Sequence, residues 1–138
     1  SLNNLDLSEN QIGYLKYGIF KALAKLKIFK LINNPIKSIG DNLKFLISLE
    51  ELNVRSKLLA SIESYELSYL TKLYELKLKG CNLTILNNYA FGGLIYLELL
   101  DLSQNRIELI MENAFKQLES LIFLYLDNNQ LNKHKNLY

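Results

Sequence analysis

Apolar residues return along this chain at a fixed interval. Leu97, Leu100, Leu102, Asn105 and Ile107 set the pattern L-x-x-L-x-L-x-x-N-x-I. Its first position is filled in turn by Leu2, Leu26, Leu49, Leu73, Leu97 and Leu121. The interval is 24 residues throughout, except for 23 between Leu26 and Leu49. Around Leu5 and Leu7 apolar and polar residues alternate, the period of a strand. From Gly18 to Lys25 the spacing lengthens toward that of a helical or 3₁₀ turn. The pattern predicts one strand and one short helical or 3₁₀ segment per unit, in one domain, 1–138, divided 2–25, 26–48, 49–72, 73–96, 97–120 and 121–138. A period in the twenties with a constant internal motif predicts a solenoid of stacked units.

One unit cannot bury its own leucines, so each repeated position becomes a strip of core only when the units stack. The clearest strip is Leu5, Phe29, Leu52, Leu76, Leu100, Leu124. A second column holds Asn10, Asn34, Cys81, Asn105 and Asn129. It falls where the chain leaves the strand and its backbone polar groups lose water. An amide both donates and accepts, so it can satisfy such groups. Cys81 reads as a small buried residue with a weak donor, since no base lies near it in sequence to make it a functional thiol. Lys57 stands where the asparagine belongs and cannot remain there charged and unpaired. A locally irregular or mobile segment is therefore expected near Ser56–Ser61, with a distortion tied to binding as the sharper reading.

With the leucines turned inward, the intervening strand residues form the other face of the sheet. They fall into three columns: Asn4, Ile28, Glu51, Glu75, Leu99, Phe123; Asp6, Lys30, Asn53, Lys77, Asp101, Tyr125; and Ser8, Ile32, Arg55, Lys79, Ser103, Asp127. Lys30, Arg55, Lys77 and Lys79 form a basic cluster that Glu51 and Glu75 partly neutralise. Leu99, Phe123 and Tyr125 form an apolar and aromatic patch. Such a patch beside charges suits a protein-binding hot spot. A solvated face whose charges pair across strands is the competing reading, favoured for the basic cluster and evenly matched for the aromatic patch. The stretch from Ile19 to Ile32 resembles a basic amphipathic helix, but the repeat register divides it between two units and takes its apolar residues into the core.

Composition narrows the function. The chain has 138 residues and a net charge of +2, too little to argue for nucleic acid or an anionic membrane from charge alone. No run approaches the roughly 18 apolar residues of a membrane-spanning helix, and no secretory leader is recognisable. The chain is already inside a unit at Leu2, so it is expected to be a mature fragment or part of a longer array. One cysteine permits no internal disulfide and leaves the compartment open. A single histidine, His134, lies in the polar tail. No metal-ligand cluster, phosphate loop or dinucleotide fingerprint is present, so no catalytic residue, cofactor or metal is expected, and the chain reads as a non-enzyme. Asn82-Leu83-Thr84 is an N-glycosylation sequon with Asn82 expected on the surface.

The repeated L-x-x-L-x-L motif, with Ala90-Phe91-Gly92-Gly93-Leu94 and Ala114-Phe115-Lys116-Gln117-Leu118, resembles the typical class of leucine-rich repeats. That class is common in extracellular animal proteins, among them Toll-type receptors and secreted insect immune proteins. The resemblance spans Leu2 to about Leu131. It implies a right-handed horseshoe arc of about six repeats, classed α/β, with a concave parallel sheet and short helical or 3₁₀ segments on the convex side. It also implies a phenylalanine spine, matched by Phe20, Phe91 and Phe115, with Leu43 and Leu67 departing from it. Family members usually carry cysteine-rich caps, and this sequence has none. The implied function is a protein-recognition module, extracellular or at the cell surface, with Lys30, Arg55, Lys77, Lys79, Leu99, Phe123 and Tyr125 meeting a protein ligand. The alternatives are an assembly segment pairing with another leucine-rich repeat chain through uncapped ends or its convex face, giving an oligomer, and a cytoplasmic scaffold. No nucleic acid partner and no membrane insertion are expected.

Overall fold

The computed structural model describes residues 1–131; His134 and the rest of the polar tail lie outside them. Six short strands build the main sheet: β1 (Asn4–Asp6), β2 (Ile28–Ile32), β3 (Glu51–Arg55), β4 (Glu75–Lys77), β6 (Leu99–Asp101) and β8 (Phe123–Tyr125). They pair in parallel in that order, with Leu5, Phe29, Leu52, Leu76, Leu100 and Leu124 in register across the sheet. β5 (Ile85–Leu86) and β7 (Leu109–Ile110) form a second parallel pair in the return segments of the fourth and fifth units. The fold is thus the repeat solenoid that the 24-residue interval predicts.

The helical expectation for the return segments needs correction. Among the described residues only Asp41–Leu43 is a 3₁₀ helix, and the other returns are turns, preceded in the fourth and fifth units by the short strands β5 and β7. Their bonds show why. Leu23 N–H donates to Phe20 C=O and Leu26 to Leu23; Leu46 donates to Leu43, Leu70 to Leu67, and Leu94 to Phe91. Each bond reaches back three residues, and the apolar residues recur at the same spacing. In a three-residue turn, side chains three apart eclipse one another on one side. Every third residue therefore enters the core, which an α-helical period of 3.6 would not allow.

The core is one continuous strip. Leu26, Phe29, Leu49, Leu52, Leu73, Leu76, Leu97 and Leu100 are essentially inaccessible to water. Phe91 and Phe115 stack with their centroids 6.4 Å apart, and Phe20 meets Phe29 edge-on at 5.1 Å. Leu43 and Leu67 fill the corresponding core positions of the second and third units. Outside the core, Lys44 and Lys21 sit over Tyr17 and Phe45 in the first two returns.

Candidate functional site: the open sheet face and the ladder edge

Two surfaces gather the polar side chains. The first is the sheet face opposite the core. Its first two columns run in register, Asn4–Ile28–Glu51–Glu75–Leu99–Phe123 beside Asp6–Lys30–Asn53–Lys77–Asp101–Tyr125. In the third column Ile32 pairs with Arg55, and Ser8 Oγ accepts from Ile32 N–H at 3.0 Å.

The basic cluster read from the sequence divides here. Lys30 and Lys77 share a shallow hollow of about 90 Å³ with Glu51, Glu75 and Asn53. Lys77 Nζ lies 3.8 Å from a Glu75 carboxylate oxygen. Glu51 accepts a 2.9 Å hydrogen bond from the Tyr74 hydroxyl, and this bond, with burial and the neighbouring carboxylates, pushes that phenol up to about 12. Lys79 is exposed in the turn after β4. Arg55 leaves the cluster and lies on Gly80, where an added Cβ would come within 2.6 Å of its Nε. Farther along, Leu99 is half-buried, while Phe123 and Tyr125 are 51% and 43% exposed on β8. These three do come together on one face.

The second surface is the edge where each strand turns away. The asparagine column supports it from beneath. Asn105 Nδ2 donates to Leu78 C=O at 2.9 Å and to Leu102 C=O at 3.0 Å, and its Oδ1 accepts from Leu83 N–H at 3.1 Å. Asn34 joins Leu7 C=O to Ile12 N–H in the same way, and Asn129 joins Leu102 C=O to Ile107 N–H. Each amide thus ties its own unit to the preceding one. Asn10 is exposed and bonds only within its own turn. Cys81 Sγ donates to Val54 C=O at 3.5 Å and, as a weak acceptor, meets the backbone of Ser56. Burial pushes its thiol up to about 11, against a weaker lowering by the Ser56 backbone and then by Arg55, so the thiol is protonated at neutral pH.

The residue before each ladder asparagine adopts a left-handed backbone: Glu9, Asn33, Gln104 and Asn128, with Gly80 before Cys81. Ser56, in the same place in the third unit, does not. Its buried hydroxyl instead donates to Ile36 C=O at 2.6 Å and accepts from Leu58 N–H at 3.2 Å. Lys57 faces solvent and Leu59 is buried. The expected irregular segment is therefore a closed turn in which serine, one residue early, replaces part of the missing amide.

A cleft of about 450 Å³ opens along this edge, lined by Arg55, Lys57, Gly80, Cys81, Asn82, Gln104 and Arg106. Asn82, expected on the surface, is half-buried in its wall. Motif reading missed Arg106, Gln104 and Gly80. The available signal was Gly80 itself, the one position of its column without a side chain.

This geometry defines a class, the leucine-rich repeat solenoids. The leucine rich repeat family model matches residues 71–131. A search of curated proteins finds no match. Among solved structures, the TLR13–ssRNA13 complex superimposes with a TM-score of 0.90 at 31% identity, covering 94% of this chain and 18% of that one. A leucine-rich repeat protein of Leptospira interrogans follows at 0.80 and 28%, covering 94% of this chain and 32% of that one. The octameric complex of Latrophilin 3, Unc5D and the leucine-rich repeats of FLRT2 gives 0.79 and 28%, covering 94% and 39%. The chain therefore spans well under half the length of these neighbours. One of them is in complex with an RNA, so the expectation that nucleic acid is excluded has no support. Among the described residues, no helix is long and apolar enough to cross a membrane.

Proposed function

We propose that this chain is a non-catalytic recognition segment, extracellular and of the receptor or immune type, that binds a protein through its open sheet face. The observation that carries the reading is the patch formed by Leu99, Phe123 and Tyr125. Large aromatic side chains held on a sheet and ringed by charges are the usual anchors of protein interfaces. Glu75 and Lys77 on the neighbouring β4, with Glu51 and Lys30 farther along the sheet, would set orientation more than affinity. The receptor-type neighbours, one with RNA and one in a protein assembly, support a recognition role.

The test is capture from the organism's own extracellular fluid by the wild-type chain, by Lys77→Glu/Lys79→Glu and by Phe123→Ala/Tyr125→Ala. A partner held by the wild type and lost with either double variant supports the sheet face. A partner retained by both overturns it.

One observation favours a second reading. Among the described residues β8 is the last strand of the sheet, and Ile122, Phe123, Leu124 and Tyr125 are 66%, 51%, 38% and 43% exposed along it. An open strand edge is a template for another strand, so β8 would pair with a further repeat chain. Concentration-dependent sedimentation that survives both double variants would select this assembly role.

A further inference from the structure

The cleft at the ladder edge has an unusual charge balance. Arg55, Lys57 and Arg106 line it, and among the described residues no carboxylate does. The described residues offer none of these three side chains an ion pair; the two salt bridges among them are Lys27–Glu50 and Lys77–Glu75. Cations gathered in a concave site without a counter-charge raise the local positive potential and attract anions. The backbone has built this space. Glu9, Asn33, Gln104 and Asn128 fill the position that Gly80 leaves empty, and Ser56 of the third unit buries its side chain there, so the edge dips at the third and fourth units. The Arg55 guanidinium lies over that dip, Lys57 is turned out beside it by the Ser56 substitution, and Arg106 closes the far side from the fifth unit. Asn82 and Gln104 add neutral amide donors to the wall.

We propose that this cleft binds a tetrahedral oxyanion, a phosphate or sulfate group, between Arg55 and Arg106 with Lys57 as a third charge. A guanidinium presents a planar fork that matches such oxygens. A water occupies about 30 Å³ of liquid, so the cleft has room for the oxyanion and for a substituent attached to it. The site lies off the sheet face and does not depend on the proposed protein-binding role.

The test measures thermal unfolding and isothermal titration at constant ionic strength, which removes general screening. Sodium phosphate and sodium sulfate are compared with chloride for the wild type, Arg55→Gln, Arg106→Gln and Lys30→Gln, a control on the open face. The wild type should bind phosphate saturably and unfold at a higher temperature with it than with chloride. Either arginine variant should bind roughly tenfold or more weakly, as loss of a charged hydrogen bond implies, and Lys30→Gln should bind as the wild type does. Without the oxyanion, Arg106→Gln should unfold no earlier than the wild type, because it relieves like-charge crowding. Phenyl phosphate and dimethyl phosphate identify the source: preference for the first points to a monoester, for the second to a diester, and binding of inorganic phosphate alone to the free ion. No saturable wild-type binding to any of these probes, or equal loss in Lys30→Gln, overturns the proposal.

Discussion

Asn105 and Asn10 carry the same amide at the same repeat position, yet the fold uses them differently. Asn105 is buried and holds Leu78 C=O and Leu83 N–H, while Asn10 is exposed and bonds within its own turn. Asn105→Ala should therefore cost about 1–3 kcal/mol for each backbone group it orphans, and Asn10→Ala should stay within about 0.5 kcal/mol in the same urea titration. Cys81 gives a pH prediction. Its folded thiol titrates near 11 rather than the usual 9.0, so between those values the folded state holds a proton that the unfolded state has lost. Stability should therefore fall as pH rises from about 9 to 11, and Cys81→Ala should remove that part of the slope. The sequence marked these positions as a column. It could not show which members were covered, because coverage depends on the unit stacked above.

At the scale of the element, the strand columns were the most legible feature, since a period of two within a period of 24 leaves one register that buries every leucine. Leu76→Ala, in the middle of the strip, should cost about 2–5 kcal/mol by denaturant unfolding, and Leu124→Ala clearly less because Leu124 is already 38% exposed. The returns were read less well. Their three-residue spacing is visible in Leu43, Leu46 and Leu49 and fits the 3₁₀ alternative, but spacing alone does not separate a continuous 3₁₀ helix from isolated turns. The third unit hid its repair altogether. A motif search sees Lys57 in the wrong place and passes over Ser56 beside it. Ser56→Ala should destabilise by about 1–3 kcal/mol, whereas Lys57→Asn should change stability by about 0.5 kcal/mol or less, since the left-handed turn that seats the amide is missing there.

For the molecule as a whole, each unit touches mainly the units on either side, so stability is distributed along the stack. Hydrogen exchange should be slowest in β3, β4 and β6 and fastest in β1 and β8, whose outer edges are unpaired among the described residues. The architecture was legible because periodicity constrains every unit at once. The surface that gathers the cations was not, because a side chain's direction depends on the space available to it: Arg55 belongs to the sheet by register and to the cleft by contact. The cleft itself draws on three successive units, and no single repeat contains its pattern.

The parallel register has a mechanical consequence. The ties between units run along the stack, so a load applied at its two ends would pull across the strands and open the bonds of one interface before the next. The chain should extend as a series of small, nearly equal yields rather than in one rupture. Each would release a unit of 23 or 24 residues, about 80 Å of extended backbone, and the molecule would behave as a soft spring that re-forms turn by turn when the load is removed.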